Sequence, residues 1–119
     1  HSNVGGGYRP DGLANEALHW VVEKAEALGL EFDEEFLMHY LPCFNSTLND
    51  SMSTMYRLMG PINRAVAAHP EDGEVVHQAA VDRMALKELK YGPESLRAAI
   101  GGGGTGTVNT TRIQRGKPC

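Results

Sequence analysis

His1-Ser2-Asn3-Val4-Gly5-Gly6-Gly7-Tyr8, followed by the segment from Gly12-Leu13-Ala14 to Ala27-Leu28-Gly29, decides how this chain is read. Three successive glycines let the backbone enter the φ > 0 region and approach other groups closely. The segment is read as a glycine-rich loop, 1–12, with Arg9-Pro10-Asp11-Gly12 as a turn signal. A histidine on such a loop can present its ring at a cleft, where a group titrating near neutrality can move protons. On chemistry alone two readings stand: a catalytic histidine, or an ordinary loop histidine at a chain boundary. The chain begins on His1, with neither initiator methionine nor signal peptide, as is expected of the tail end of a longer protein.

The apolar spacing after this loop is helical. Ala14, Ala17, Leu18, Val21, Val22, Ala25 and Leu28 form one stripe, with Glu16, His19, Glu23 and Glu26 on the other face. The spacing predicts that Leu18, Val21, Val22 and Ala25 are buried and that the three glutamates lie in solvent. Asp11 is the expected N-cap and Gly29 the expected C′ residue. Asp33, with Glu34 and Glu35 behind it, is a second N-cap, because carboxylates in a first turn suit the helix dipole. Phe36, Leu37, Tyr40 and Leu41 give that short helix its apolar face, and Pro42 closes it.

Further on, 43–53 reads as a loop, Met52 to Met59 as a helical turn or an extended piece, and 62–68 as ambiguous. His69-Pro70-Glu71-Asp72-Gly73 is a turn. A third helix is expected over about 76–90, and Tyr91-Gly92-Pro93 breaks it. Pro93-Glu94-Ser95-Leu96 can start another helical turn. From Gly101 to Cys119 there is little to bury, which predicts a flexible tail, weakly basic because no acid follows Glu94.

Composition excludes several classes. With 119 residues, 41% hydrophobic and 22% charged, the chain suits one small globular domain. No apolar run approaches the ~18 residues that cross a membrane. A net charge of −4 argues against nucleic acid as a partner. Cys43 and Cys119 form no framework, so no native disulfide is expected; Cys43 reads as a buried or half-buried thiol. Asn45-Ser46-Thr47, Asn49-Asp50-Ser51 and Asn109-Thr110-Thr111 match the glycosylation sequon, which matters only in a secreted chain.

Few motifs carry chemistry. Neither H-E-x-x-H nor C-x-x-C occurs, so no metal site is expected, and no cofactor is implied. Gly101, Gly103 and Gly106 satisfy G-x-G-x-x-G without the strand and helix that dinucleotide binding needs. No G-x-S-x-G is present. His19, with Glu23 one turn on, reads as part of a solvated helix face, and His39 and His69 as surface residues.

The opening motif, with Gly12-Leu13-Ala14, Ala17-Leu18, Trp20-Val21-Val22, Ala25 and Gly29-Leu30-Glu31-Phe32-Asp33, resembles an α/β-hydrolase-like family long filed as a domain of unknown function. That family includes phospholipase effectors of type VI secretion systems. Asp50-Ser51-Met52, Tyr56-Arg57, His77 with Arg83, and Tyr91-Gly92-Pro93-Glu94-Ser95-Leu96 resemble its C-terminal pattern. The resemblance covers about 1–97, leaving 98–119 as a Gly-rich tail. It implies a mainly α fragment, the C-terminal helical portion of an α/β-hydrolase-like domain. It also implies a Ser-His-Asp triad in the order Ser, acid, His, with only the last member here. His1 matches the family's histidine and would be the general base, with Gly5, Gly6 and Gly7 shaping its loop. The implied function is hydrolysis of carboxylic esters, lipids favoured, by the parent protein; this chain alone would be inactive.

Two positions depart from the family pattern. Asn3 stands where many members have Asp, so no acid role carries over. Gln78-Ala79-Ala80-Val81 stands where a Ser-Val pair is expected, which leaves His77 as a structural residue at a helix N-terminus. The alternative is a non-catalytic helical interaction or structural module whose glycine loop merely turns the chain. Cytoplasmic and secreted locations both remain open.

Overall fold

In the computed structural model, the described residues are 2–50, 52, 54–60, 65–66, 74–101 and 110–111. The chain divides into two units. The first comprises 1–51 with 112–119, and the second comprises 52–111. The architecture is mainly helical.

In the first unit, α1 spans Ser2–Gly5, α2 Gly12–Glu26 and α3 Glu34–Leu37. The opening glycine stretch is thus part helix and part loop. Gly5 ends α1, whereas Gly6 and Gly7 take φ of 89° and 110°. Those two positions need glycine for backbone reasons; Gly5 does not.

Helix α2 ends as its sequence predicts. Gly29 has φ 91°, its N–H donates to Glu26 O at 2.8 Å, and Leu30 N–H donates to Ala25 O at 3.1 Å. Those two bonds form a Schellman motif with Gly29 at C′. The start differs in detail. Asp11 occupies the N-cap position, but its side chain makes no capping bond. At α3 the expected cap is made: Asp33 Oδ1 accepts from Phe36 N–H at 3.0 Å, with Glu34 and Glu35 in the first turn. The Phe36 and Tyr40 rings pack with centroids 5.3 Å apart.

The face that α2 buries shares only Val22 with the one its apolar stripe predicts. Gly12, Asn15, Glu16, His19 and Val22 are buried, with His19 only 4% exposed. Leu18 is 36% and Val21 54% exposed, Ala25 is half-buried, and so are Glu23 and Glu26. The cause is the segment laid against the helix. Tyr40, Leu41 and Cys43 bring backbone carbonyls and an N–H to α2, and polar groups must meet them. His19 Nε2–H donates to Tyr40 O at 2.7 Å, and Asn15 Nδ2–H donates to Leu41 O at 3.1 Å. Cys43 N–H donates to Gly12 O at 3.1 Å. His19 is therefore a buried clamp, not a surface residue, while His39 is exposed as expected and His69 lies outside the described residues.

In the second unit, α4 spans Thr54–Met59, so the Met52 to Met59 piece is helical rather than extended; the ambiguous 62–68 lies outside the described residues apart from 65–66. The helix expected over 76–90 is broken into three pieces. β1, Val76–His77, pairs in parallel with β2, Thr110–Thr111, in the register Val76↔Thr110 and His77↔Thr111. Helix α5 then runs Gln78–Ala85, and a 3-10 turn covers Lys87–Leu89, closed by Lys90 at φ 48°. Helix α6, Glu94–Gly101, extends past residue 97, where the sequence reading sets the domain's end. His77 is the N-cap of α5: its Nδ1 accepts from Ala79 N–H at 3.3 Å, a structural role as expected.

The core is small. The buried apolar side chains among the described residues are Val22, Leu37 and Pro42 in the first unit and Val76 and Leu96 in the second. Against them stand many exposed ones, including Val4, Val21, Leu28, Phe36, Met38 and Leu58. Cys43 is half-buried, as expected, but it is disulfide-bonded, which corrects the expectation of no native disulfide. The chain's other cysteine, Cys119, lies outside the described residues. The predicted tail falls outside them too, apart from Gly101, which closes α6, and Thr110–Thr111.

Candidate functional site

The glycine loop and the outward face of α2 enclose an open cleft of about 590 Å³. Its walls are mainly apolar and include Val4, Gly6, Tyr8, Leu18, Val21 and Tyr40. All belong to the first unit. The stripe that would ordinarily face a core here lines a cavity instead. Gly6 and Gly7 supply the turn that brings Val4 and Tyr8 to the rim, and Tyr8 is half-buried.

Of the predicted site residues, Gly5, Gly6 and Gly7 all line this cleft. His1, the predicted general base, lies outside the described residues. A Cβ on Gly6 would meet nothing within 4 Å, so a side chain there is opposed by its φ rather than by space.

Asn3 has a role the sequence did not disclose. Its Nδ2–H donates to Asn49 O at 2.7 Å, and its Oδ1 accepts from Asn49 N–H at 2.9 Å. The side-chain amide reads one peptide unit in both directions and ties α1 to the segment before residue 50. An aspartate could accept from the N–H but, when ionised, could not donate to the carbonyl. The asparagine that removes an acid from the motif thus supplies a two-way clamp. The only hint in the sequence is the polarity of Asn3 and Asn49, which are 46 residues apart.

The inward face of α2 holds three more residues that pattern reading missed. A Cβ at Gly12 would lie 2.5 Å from Cys43 Cβ and 3.2 Å from Cys43 O, so glycine is required by close approach. Asn15 and His19 follow on the same face. Since a carbonyl only accepts, His19 Nε2 carries the hydrogen that reaches Tyr40 O. Its Nδ1 is buried and has no hydrogen-bond partner among the described residues. The spacing 12, 15, 19 is a helix face, and a glycine heading it is the one available signal.

In the second unit, residues quoted for the resemblance meet. The Arg83 guanidinium lies 5.4 Å from the centre of the Tyr91 ring. Burial lowers the Arg83 pKa, partly offset by Tyr91, and burial raises that of Tyr91, partly offset by Arg83. Arg97 packs its guanidinium over Gly92. These contacts pin the break between α5 and α6.

Among the described residues no cluster of three or more His, Cys, Asp or Glu side chains could hold a metal ion, and no helix is long and apolar enough to cross a membrane. No family model, curated protein or solved structure matches the chain.

Proposed function

We propose that this chain is the histidine-bearing, C-terminal helical portion of an α/β-hydrolase-like domain, and that its parent protein hydrolyses carboxylic esters, with lipids as the favoured substrates. The part of the chain that belongs to that domain runs to the end of α6 at Gly101, four residues past the boundary at 97. His1 is the general base. It takes the proton of a serine nucleophile and returns it to the leaving alcohol. Serine, acid and oxyanion hole are supplied by parts of the parent outside this chain. The reading is phospholipase-like and needs no cofactor.

The observation that carries it furthest is the cleft. A turn made by Gly6 and Gly7 faces an apolar stripe of α2 that is exposed at Leu18 and Val21. The exposed Leu18 and Val21 also suit a helix whose covering sheet lies elsewhere in the parent. The same exposure favours a second reading, a helical interaction module without chemistry. The parent's sequence separates them: a G-x-S-x-G following an apolar strand upstream of His1 belongs to the hydrolase alone.

The test is kcat of the full-length parent on a phospholipid or short-chain ester, with circular dichroism as the folding control. His1→Ala should lower kcat by roughly 10³-fold or more, because triad members act as a unit. Gly6→Val should also impair turnover, through backbone strain. A His1→Ala enzyme with near-full kcat removes His1 from the mechanism and leaves the loop a structural role.

A further inference from the structure

We propose that residues 27–38 of the first unit form a docking surface for a cationic, amphipathic segment of a partner protein. The inference holds under either functional reading, since none of these residues lines the cleft.

Helix α2 stops at Glu26, and the chain turns at Gly29. It comes back to the helix at Tyr40 and Leu41, whose carbonyls accept from His19 and Asn15. Residues 27–38 are thus an excursion beyond that seam. The Gly29 turn and the Asp33 cap fix its backbone, so the surface is formed before anything binds.

An excursion of this kind is ordinarily polar, because it runs through water. Here Leu28, Leu30, Phe32, Phe36 and Met38 are all exposed, Leu28 by 87% and Met38 by 67%. Of the large apolar side chains in the stretch, Leu37 alone turns inward. Single exposed leucines carry no message, but five large apolar side chains on one short stretch mark an interaction surface.

Charge names the occupant. Glu26, Glu31, Asp33, Glu34 and Glu35 lie on or beside the stretch, and no Lys or Arg stands between Lys24 and Arg57. The chain's net charge is only −4, so its negative charge is concentrated here. Glu31, Asp33, Glu34 and Glu35 are exposed. Such a surface draws cations and rejects anions. A second copy of this chain would set acid against acid. An anionic lipid leaflet is repelled in the same way. In any bilayer the carboxylates beside Phe32 and Phe36 would have to leave water. A segment with apolar side chains flanked by Lys or Arg answers both halves of the surface.

The test uses the full chain and a fluorescent amphipathic peptide of leucine and lysine, read by anisotropy. The peptide should bind. Versions with glutamate for lysine, or serine for leucine, should bind about tenfold more weakly or worse. Phe36→Ser with Met38→Ser should lower affinity about tenfold, since the apolar contacts are lost. Glu31→Gln with Glu35→Gln should lower it too and flatten its dependence on salt. Leu58→Ser with Met59→Ser alters equally exposed side chains on α4 and should change nothing. Circular dichroism checks that each variant is folded. Absence of binding, or a loss confined to one of the first two variant pairs, overturns the proposal. So does a loss as large in the α4 pair. Sedimentation with phosphatidylcholine vesicles, or self-association that Phe36→Ser with Met38→Ser abolishes, would give the surface to lipid or to a second copy and overturn it as well.

Discussion

The two faces of α2 are built from the same helix and do opposite things. One face, Gly12, Asn15, Glu16, His19 and Val22, is mostly polar and is buried. The other carries Ala14, Ala17, Leu18 and Val21 and lines an open cleft. In a self-contained domain the apolar face goes inward, because burying each such side chain is worth roughly 1.5–3 kcal/mol. Here the inward position is taken by residues that can answer backbone groups. A chain segment lying along a helix brings carbonyls and N–H groups that are costly to leave unpaired. Gly12, Asn15 and His19 answer them at 3.1, 3.1 and 2.7 Å. The comparison teaches that amphipathicity marks which residues share a face. What covers each face is decided by the neighbours.

The largest effect is expected where the inward face is tightest. In Gly12→Val the new Cβ would meet Cys43 Cβ at 2.5 Å and Ser46 Cβ at 3.1 Å. The helix and the loop must part, at a cost of about 3 kcal/mol. Gly5→Ala is the control: its Cβ meets nothing within 4 Å, and Gly5 is absent from the positive-φ glycines. Urea denaturation of both variants checks the contrast. Equal midpoints would mean that the loop does not press on α2.

A smaller loss is expected at His19. His19→Ala removes the donor to Tyr40 O and empties a site that is 4% exposed. The cost is about 2 kcal/mol, one buried hydrogen bond with some lost packing. Hydrogen exchange sharpens the result. Protection should fall at Cys43 N–H, whose acceptor is Gly12 O, while Gly29 N–H at the far end of α2 stays protected. Uniform loss of protection would show that His19 holds the whole unit rather than this seam.

Those contrasts mark how far the sequence was legible. The ends of α2 and the start of α3 were readable because Gly29 and Asp33 act on bonds within a few residues of themselves. The inward face was not, since the apolar stripe says nothing of a loop that returns about twenty residues later with carbonyls to satisfy. Val76 and His77 read as helix because the pairing that holds them extended comes from Thr110 and Thr111. The disulfide at Cys43 was invisible for a similar reason: two cysteines in one sequence carry no distance. At the candidate site the glycine loop was legible, and the Asn3–Asn49 clamp was not.

The smallest effect on this chain is expected on the open face, and it separates the two functional readings. Leu18→Ser with Val21→Ser replaces side chains that are 36% and 54% exposed. In the isolated chain the pair should shift stability by no more than ~0.5 kcal/mol, as surface changes do. Binding of an apolar dye should fall, since these side chains line the cleft. In the full-length parent the two readings diverge. If the face packs under a sheet of the same domain, the double variant buries hydroxyls in a core and should lower stability by several kcal/mol. If the face is a docking surface for another protein, the parent's stability should not move, and only assembly should weaken. A stable parent that keeps both its assembly and its turnover would show that neither a sheet nor a partner covers this stripe. The inversion of α2 would then be a property of the loop contacts alone.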